Sequence, residues 1–360
     1  MKNRNHYVVI MAGGIGTRFW PVSRVQFPKQ FHDILGRGQT LIQETYNRFA
    51  SFIPEENIYV VTNARYQKLV KQQLPALTDD QILLEPIGRN TAPCVAYAAY
   101  KIHARNPEGI LVVAPSDHLI KKEEVFKEKI LLGLRACAQN DIIMTLGINP
   151  TRPDTGYGYI QYIEDNQGRG YYKVKTFTEK PKLEVAKSFI ESGDFVWNGG
   201  IFLFSARAIM QAYEEYLPDM AELFSDIRHI YYTPEEQAAI NNLYSTCKNI
   251  SIDYGIMERA ENVHVIPADF GWSDLGTWGS VHENMEKDYH GNTVQATAVV
   301  YDSFNNVVHA PNGKLVVLKG LEDFIVVDTK DALLICKKEE EQFIKQIVGD
   351  IKNQFHDKYN

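Results

Sequence analysis

Along the first 150 residues, compact apolar runs alternate with stretches in which apolar residues return every three or four positions. The runs are Tyr7–Met11, Ile58–Thr62, Ile82–Glu85, Ile110–Ala114 and Ile142–Gly147. They are rich in Val and Ile and lack polar alternation, which predicts strands covered on both faces. Between them, Phe126, Ile130, Leu134 and Ala138 recur every four residues and predict one apolar helix face. Thr91 is placed to cap a helix opening near Ala92, with Pro93 in its first turn. This βαβα order predicts an α/β fold with a Rossmann-like, doubly wound, mostly parallel sheet and right-handed crossovers. Ligands of such sheets bind beyond the carboxyl ends of the strands.

From about residue 150 the pattern turns mixed. Thr155–Ile160 reads as a turn into a strand, and Tyr172–Thr178 and Asp194–Ser205 read as further strands. Residues 206–262 look helical. The last 70 residues change again, to short strands at Val299–Tyr301, Asn306–His309, Leu315–Lys319, Phe324–Asp328 and Ala332–Lys337, separated by turn residues. They suit a small β-roll or a few turns of β-helix. A helix over Glu339–Phe355 should dock through Phe343, Ile347 and Ile351. The expected division is 1–288 for a large α/β domain and 289–360 for a small β domain with a terminal helix.

A net charge of -7 with no Lys/Arg block argues against nucleic acid as a partner, so an anionic ligand must be drawn by local cations. The four cysteines, Cys94, Cys137, Cys247 and Cys336, are scattered, with no metal-type spacing, as expected of free thiols in a reducing cytoplasm. No apolar segment approaches the ~20 residues that span a bilayer.

Candidate chemistry gathers after the first run. Gly13, Gly14 and Gly16 let backbone N–H groups approach an anion, Thr17 adds a hydroxyl, and Arg18 and Lys29 add cations. That combination suggests a cradle for a di- or triphosphate. It is neither a Walker A loop nor a complete dinucleotide fingerprint. A tight turn leaving the strand is the plainer reading of the glycines alone. Similarly, Glu85–Pro93 reads as a turn into a helix start, Asp117 and Asp274 as turn or cap residues, and Gly158 and Asn198 as parts of hairpins.

The stretch from Gly13 to Phe31 resembles the signature of nucleotide-sugar pyrophosphorylases. So do Glu85-Pro-Ile-Gly-Arg-Asn-Thr-Ala-Pro93, Gly156-Tyr-Gly-Tyr-Ile160, Glu179-Lys-Pro181, Trp197-Asn-Gly-Gly-Ile-Phe202, Asp253-Tyr-Gly-Ile-Met-Glu258 and Phe270–Trp278. The likeness covers roughly 7–290; Phe19 and Val22 depart from it mildly, standing where Leu is common.

The resemblance implies a reaction in which GTP and mannose 1-phosphate give GDP-mannose and pyrophosphate. Ala12, Gly13, Gly14, Gly16 and Thr17 would bind the nucleotide phosphates. Glu85 would accept from the guanine N1–H and amine, and backbone near Gly88 and Asn90 would contact its O6. Gly158, Glu179 and Asn198 would hold the sugar, Lys180 the sugar phosphate, and Asp117 and Asp274 a Mg²⁺ ion. Arg18 would meet the leaving pyrophosphate and Lys29 the α- and sugar-side phosphates. The nucleophile is already an anionic phosphate oxygen, so no general base is required. Another hexose 1-phosphate or nucleoside triphosphate remains open, as does a homodimer; a catalytically silent nucleotide-sugar-binding subunit is the alternative from a different class.

Overall fold

The computed structural model describes residues 2–165 and 167–360. The chain divides into two compact units that do not follow chain order. One contains the segments up to Gly13, Tyr46–Ser116 and Ile120–Trp272; the other contains Gly14–Thr45, Asp117–Leu119 and Ser273–Asn360. Among the described residues, no helix is long and apolar enough to cross a membrane.

Among the described residues, the first unit is built on a nine-stranded sheet. Strands β1 (His6–Met11), β2 (Ile58–Asn63), β3 (Ile82–Glu85) and β4 (Ile110–Pro115) lie in the order β3-β2-β1-β4, all parallel. Val8, Val9 and Ile10 are fully buried, as unalternating apolar runs require. The strand Phe195–Ser205 then runs antiparallel beside β4 and, on its other side, beside Ile143–Ile148. Val263–Ala268 pairs parallel with Ile143–Ile148, and the hairpin strands Tyr159–Ile163 and Tyr172–Thr178 complete the sheet. The first four strands are thus the parallel half, and pairing is mixed where the sequence pattern changes.

The helix Thr91–Arg105 is buried from Ala92 to Ile102, and its alanines let it lie close to neighbouring elements. Its cap differs from expectation. Asn90, at φ +67°, supplies the capping oxygen to the Thr91 N–H, while the Thr91 hydroxyl accepts from the Ile252 N–H. In the helix Glu123–Gln139, Phe126, Ile130 and Leu134 are buried, but Ala138 is exposed and Cys137 closes the face. Drift of a 3.6-residue period away from a strict spacing of four explains the exchange. Residues 206–262 hold the helices Ala206–Tyr216, Pro218–Asp226 and Glu236–Thr246, then a π turn at Asp253–Met257.

In the second unit, Thr293–Gln295, Val307–His309 and Phe324–Asp328 stack in parallel, with Leu333–Lys337 antiparallel at the end. Thr297–Tyr301 and Leu315–Lys319 form a second parallel pair. These are rungs of a β-helix. Alternation along each strand sends Val307, Ile325 and Val327 into a core shared with Phe19, Trp20, Ile34 and Trp278. Val308 and Val326 point instead into a small core with Leu318. Asn306 ties the rungs: its amide donates to Asn292 at 2.9 Å and its oxygen accepts from Phe324 N at 2.8 Å. The terminal helix is Ile344–Phe355, after a 3₁₀ segment Lys338–Phe343. It docks through Ile344 and Val348, with Ile347 and Ile351 beside them. Phe343 is exposed, because the 3₁₀ stretch ahead of the helix shifts the phase of its face by one residue.

Candidate active site

In the second unit, the segment after Gly14 turns at Gly16, whose φ of +75° lies in the left-handed region. A Cβ there would stand 2.5 Å from the Lys29 Cβ, so glycine and lysine fit each other. The turn closes through Lys29 N to Ile15 O at 3.1 Å and through the Ser23 hydroxyl to the same carbonyl. Thr17–Phe19 forms one 3₁₀ turn.

Lys29 is 3% exposed. Its ammonium donates to Asp117 Oδ2 at 2.9 Å and to the Asp274 main-chain oxygen at 3.0 Å, and lies 5.2 Å from the Phe19 ring centroid. Both aspartates, far apart in sequence, are therefore gathered on one lysine. Burial works to raise the Asp117 pKa, but Lys29 and His118 overcome it and hold the carboxyl below its usual range. Asp274 Oδ1 accepts from Gly276 N at 3.1 Å. The adjacent helix Trp278–Asn284 is capped by Thr277 in a reciprocal box with Ser280, so Asp274 is not its cap. Arg18 Nε donates to Gln342 Oε1 at 2.7 Å.

In the first unit, Glu85 ends β3 and is 6% exposed. Its Oε1 accepts from the Tyr244 hydroxyl at 2.9 Å. Burial lifts its pKa from 4.5 to about 7, with Tyr244 pulling the other way. Gly13 faces the same carboxylate: a Cβ there would stand 3.7 Å from Oε2. Gly88 has open space around it, and Asn90 is exposed. Ala12 N donates to Val61 O at 2.8 Å, which commits that amide to the sheet.

The same unit gathers Gly158, Glu179, Lys180 and Asn198. A Cβ on Gly158 would collide with Glu179 Oε2 and stand 3.2 Å from Asn198 Cβ, so the glycine makes room for both side chains. Glu179 Oε1 pairs with Lys180, while Oε2 is buried with no hydrogen-bond partner among the described residues. A buried carboxylate oxygen in that state suits a ligand donor such as a hydroxyl. Asn198 is oriented from two sides: its amide donates to Asp253 at 2.9 Å, and its oxygen accepts from Thr145 at 2.9 Å. Burial, then the charge of Glu179, lifts the Asp253 pKa to about 6. Glu258 accepts from the Glu179 N–H at 2.8 Å, which fixes the start of the Lys180 turn, where φ is +47°.

A family model described as nucleotidyl transferase matches residues 7–291. The chain belongs to the nucleotidyl transferase family. A second model, described as a MannoseP isomerase/GMP-like beta-helix domain, matches 296–351. The alginate biosynthesis protein AlgA of Pseudomonas aeruginosa is 38% identical over 353 residues, covering 96% of this chain and 72% of that protein. A mannose-1-phosphate guanylyltransferase of Salmonella montevideo is 38% identical over 352 residues, covering 96% and 73%. The crystal structure described as mannose-1-phosphate geranyltransferase from Thermus thermophilus matches with a TM-score of 0.87 at 30% identity, over 97% of this chain and 99% of that one. Nucleotidyl transferases of this kind act on a nucleoside triphosphate and a sugar phosphate and generally use a divalent metal ion.

Two contacts of this nucleotidyl transferase had no signal in the sequence. Tyr244 reaches Glu85 from 159 positions away, and Gln342 reaches Arg18 across 324. Neither lies in a motif, and a tyrosine on an amphipathic helix or a glutamine in a charged run carries no pattern of its own.

Proposed function

We propose that the protein transfers GMP from GTP to α-D-mannose 1-phosphate, releasing pyrophosphate. The observation that carries this reading is Lys29, buried beside the glycine turn with its ammonium on Asp117 and Asp274. The likeness to a relative named mannose-1-phosphate guanylyltransferase, over 96% of this chain and 73% of that protein, supports the choice of substrates.

A sugar phosphate oxygen attacks the α-phosphorus, and the bond to the β-bridging oxygen breaks. The attacking atom is already anionic, so the barrier lies in positioning and in charge at phosphorus. Lys29 neutralises the α-phosphate and the incoming phosphate, and Arg18 the departing pyrophosphate. Backbone at Gly13, Gly14, Gly16 and Thr17 faces the phosphates, with Ala12 beside it. Glu85 accepts from guanine, and main chain near Gly88 and Asn90 meets its O6. Glu179 Oε2 and the Asn198 amide take sugar hydroxyls, with the ring over Gly158, and Lys180 takes the sugar phosphate.

Asp117 and Asp274 offer a hard, all-oxygen donor pair, and Asp117 is held ionised, which fits Mg²⁺, an ion commonly bound by one or two carboxylates plus phosphates. The ion would neutralise phosphate charge. Asp274→Asn is expected to raise the Mg²⁺ concentration for half-maximal rate by roughly tenfold or more, since one of two carboxylate ligands is weakened. An unchanged metal titration would remove Asp274 from that role.

Gly158→Ala is expected to raise KM for mannose 1-phosphate about tenfold, leaving KM for GTP unchanged, because its methyl crowds Glu179 and Asn198. Equal effects on both constants would place the glycine elsewhere in the reaction.

On this reading residues 1–288 are the catalytic domain and 289–360 the small β domain, and the enzyme works in the cytoplasm. Its assembly is a homodimer, which would cover exposed Val299, Tyr301, Leu315 and Val317. Pyrophosphate release over a grid of nucleoside triphosphates and sugar phosphates tests the whole. GTP with mannose 1-phosphate should exceed every other pair, and faster turnover of another pair would overturn it.

A further inference from the structure

The C-terminal section grips the segment that carries Arg18 at three separate points. Trp20 Nε1 donates to the Tyr359 carbonyl at 2.8 Å. Arg24 forks onto the two oxygens of Asp331 at 2.6 and 2.8 Å. Beside these anchors, Arg18 Nε donates to Gln342 Oε1 at 2.7 Å. The first two contacts hold backbone and shape. The third holds the guanidinium itself.

Gln342 is in turn fixed. It sits in the 3₁₀ segment Lys338–Phe343, where the neighbouring Glu341 accepts from Gly279 N at 2.8 Å. The next residue but one, Ile344, is fully buried in the core that also contains Phe19. The amide is thus presented from a segment tied down on both sides.

We propose that Gln342 is a positioning residue that sets the plane of the Arg18 guanidinium for the phosphate group it serves. The proposal rests on the reading of Arg18 given above. An unheld arginine on the half-buried 3₁₀ turn after Gly16 has many rotamers, and that freedom must be lost before it can bind an anion. A single bond at Nε removes most of that freedom and leaves the two Nη groups as a fork for two phosphate oxygens.

The chemistry of the acceptor matters. The run is Glu339-Glu340-Glu341-Gln342, and a carboxylate on Arg18 would orient it but also neutralise it. Gln342 orients without cancelling charge. Glu341, the nearest acid in the run, is committed to Gly279; burial pushes its pKa up, with Arg18 among the groups opposing the rise.

The test is a double-substitution cycle with Gln342→Met, which keeps length and removes the acceptor, and Arg18→Ala. Gln342 is exposed, so folding is not at stake, and melting temperatures of all variants check this. Arg18→Ala should lower kcat about 10²-fold or more, the scale for one preorganised electrostatic contact. Gln342→Met should lower kcat and raise KM for pyrophosphate in the reverse direction, each by about three- to tenfold, with KM for mannose 1-phosphate unchanged. In the Arg18→Ala background it should have no further effect.

If Gln342→Met behaves as the unsubstituted enzyme while Arg18→Ala is impaired, the inference fails and the reading of Arg18 stands. It also fails if the second substitution adds its full loss on top of Arg18→Ala. If Arg18→Ala is itself unimpaired, the reading of Arg18 falls and this inference with it.

Discussion

Replacing Lys29 with methionine is expected to lower kcat by about 10³-fold, at the upper end of what one preorganised electrostatic group supplies. Methionine keeps the length of the stem and its contact with Gly16 and Phe19, so the loss isolates the charge. The ammonium is nearly inaccessible and holds oxygens of both Asp117 and Asp274. Without it, Asp117 keeps only the weaker help of His118 against its partial burial. Because the Asp117 side chain is still 30% exposed, water compensates part of the loss, and the expected destabilisation at neutral pH is about 1–3 kcal/mol. The folded Asp117 titrates below its usual 3.8, so its stabilisation is present above that pH and is lost as pH falls through the folded value. The difference in melting temperature between Lys29→Met and the unsubstituted protein should therefore shrink in acid. A variant that loses stability but keeps its turnover would reduce Lys29 to a structural partner of Asp117. Lys29→Arg gives the complementary control: it keeps charge and the stem against Gly16 but puts a broad planar fork where a compact ammonium meets Asp117 and the Asp274 carbonyl, and should recover little.

The parts of the fold that are legible in the sequence are those where one local pattern decides the outcome. β1 to β4 can be read because strands buried on both faces give short unbroken apolar runs, mostly of Val and Ile, too short for a helix. The rungs from Thr297 on can be read because turn residues mark each corner, whereas Thr293–Gln295, three residues long, shows no alternation to read. Where two local rules compete, tertiary context decides: Asn90, free to adopt a positive φ, caps the helix, and Thr91 serves Ile252 instead. The joining of Gly14–Thr45 with Ser273–Asn360 cannot be read at all. It is made by contacts such as Phe19 and Trp20 with Trp278, Ile344 and Val348, and apolar residues do not announce partners hundreds of positions away.

The candidate site divides in the same way. Lys29, Asp117 and Asp274 can be named from motif resemblance, and the geometry unites them on one ammonium. Glu179 and Asn198 are reached likewise, but the orphaned oxygen of one and the two-sided clamp on the other require coordinates. Orientation is a property of neighbours. That is why residues proposed to bind are legible and the residues that aim them, Tyr244, Thr145 and Gln342, are not.

Glu85→Gln is expected to cut the preference for GTP over ATP, as the ratio of kcat/KM values, by about 10³-fold. A carboxylate presents acceptors to both guanine donors, whereas the amide sets a donor against a donor and leaves a buried group unpaired. The same residue predicts the pH profile. With its pKa lifted from 4.5 to about 7, the free enzyme's Glu85 loses its charge as pH falls through neutrality. kcat/KM for GTP should fall in step, and that acidic limb should be missing in Glu85→Gln. Stability must run the other way. A folded pKa above the unfolded one means ionisation opposes folding: the penalty is absent below about 4.5, grows as pH rises towards 7, and is constant beyond. For a side chain this buried it amounts to on the order of 3 kcal/mol. Glu85→Gln, whose carbonyl can still accept from Tyr244, should therefore melt higher than the unsubstituted protein at alkaline pH while binding GTP worse. A merely structural glutamate would give neither a lost acidic limb nor that opposition between stability and specificity, since burying an unneeded charge has no reason to persist where an amide of the same shape serves better.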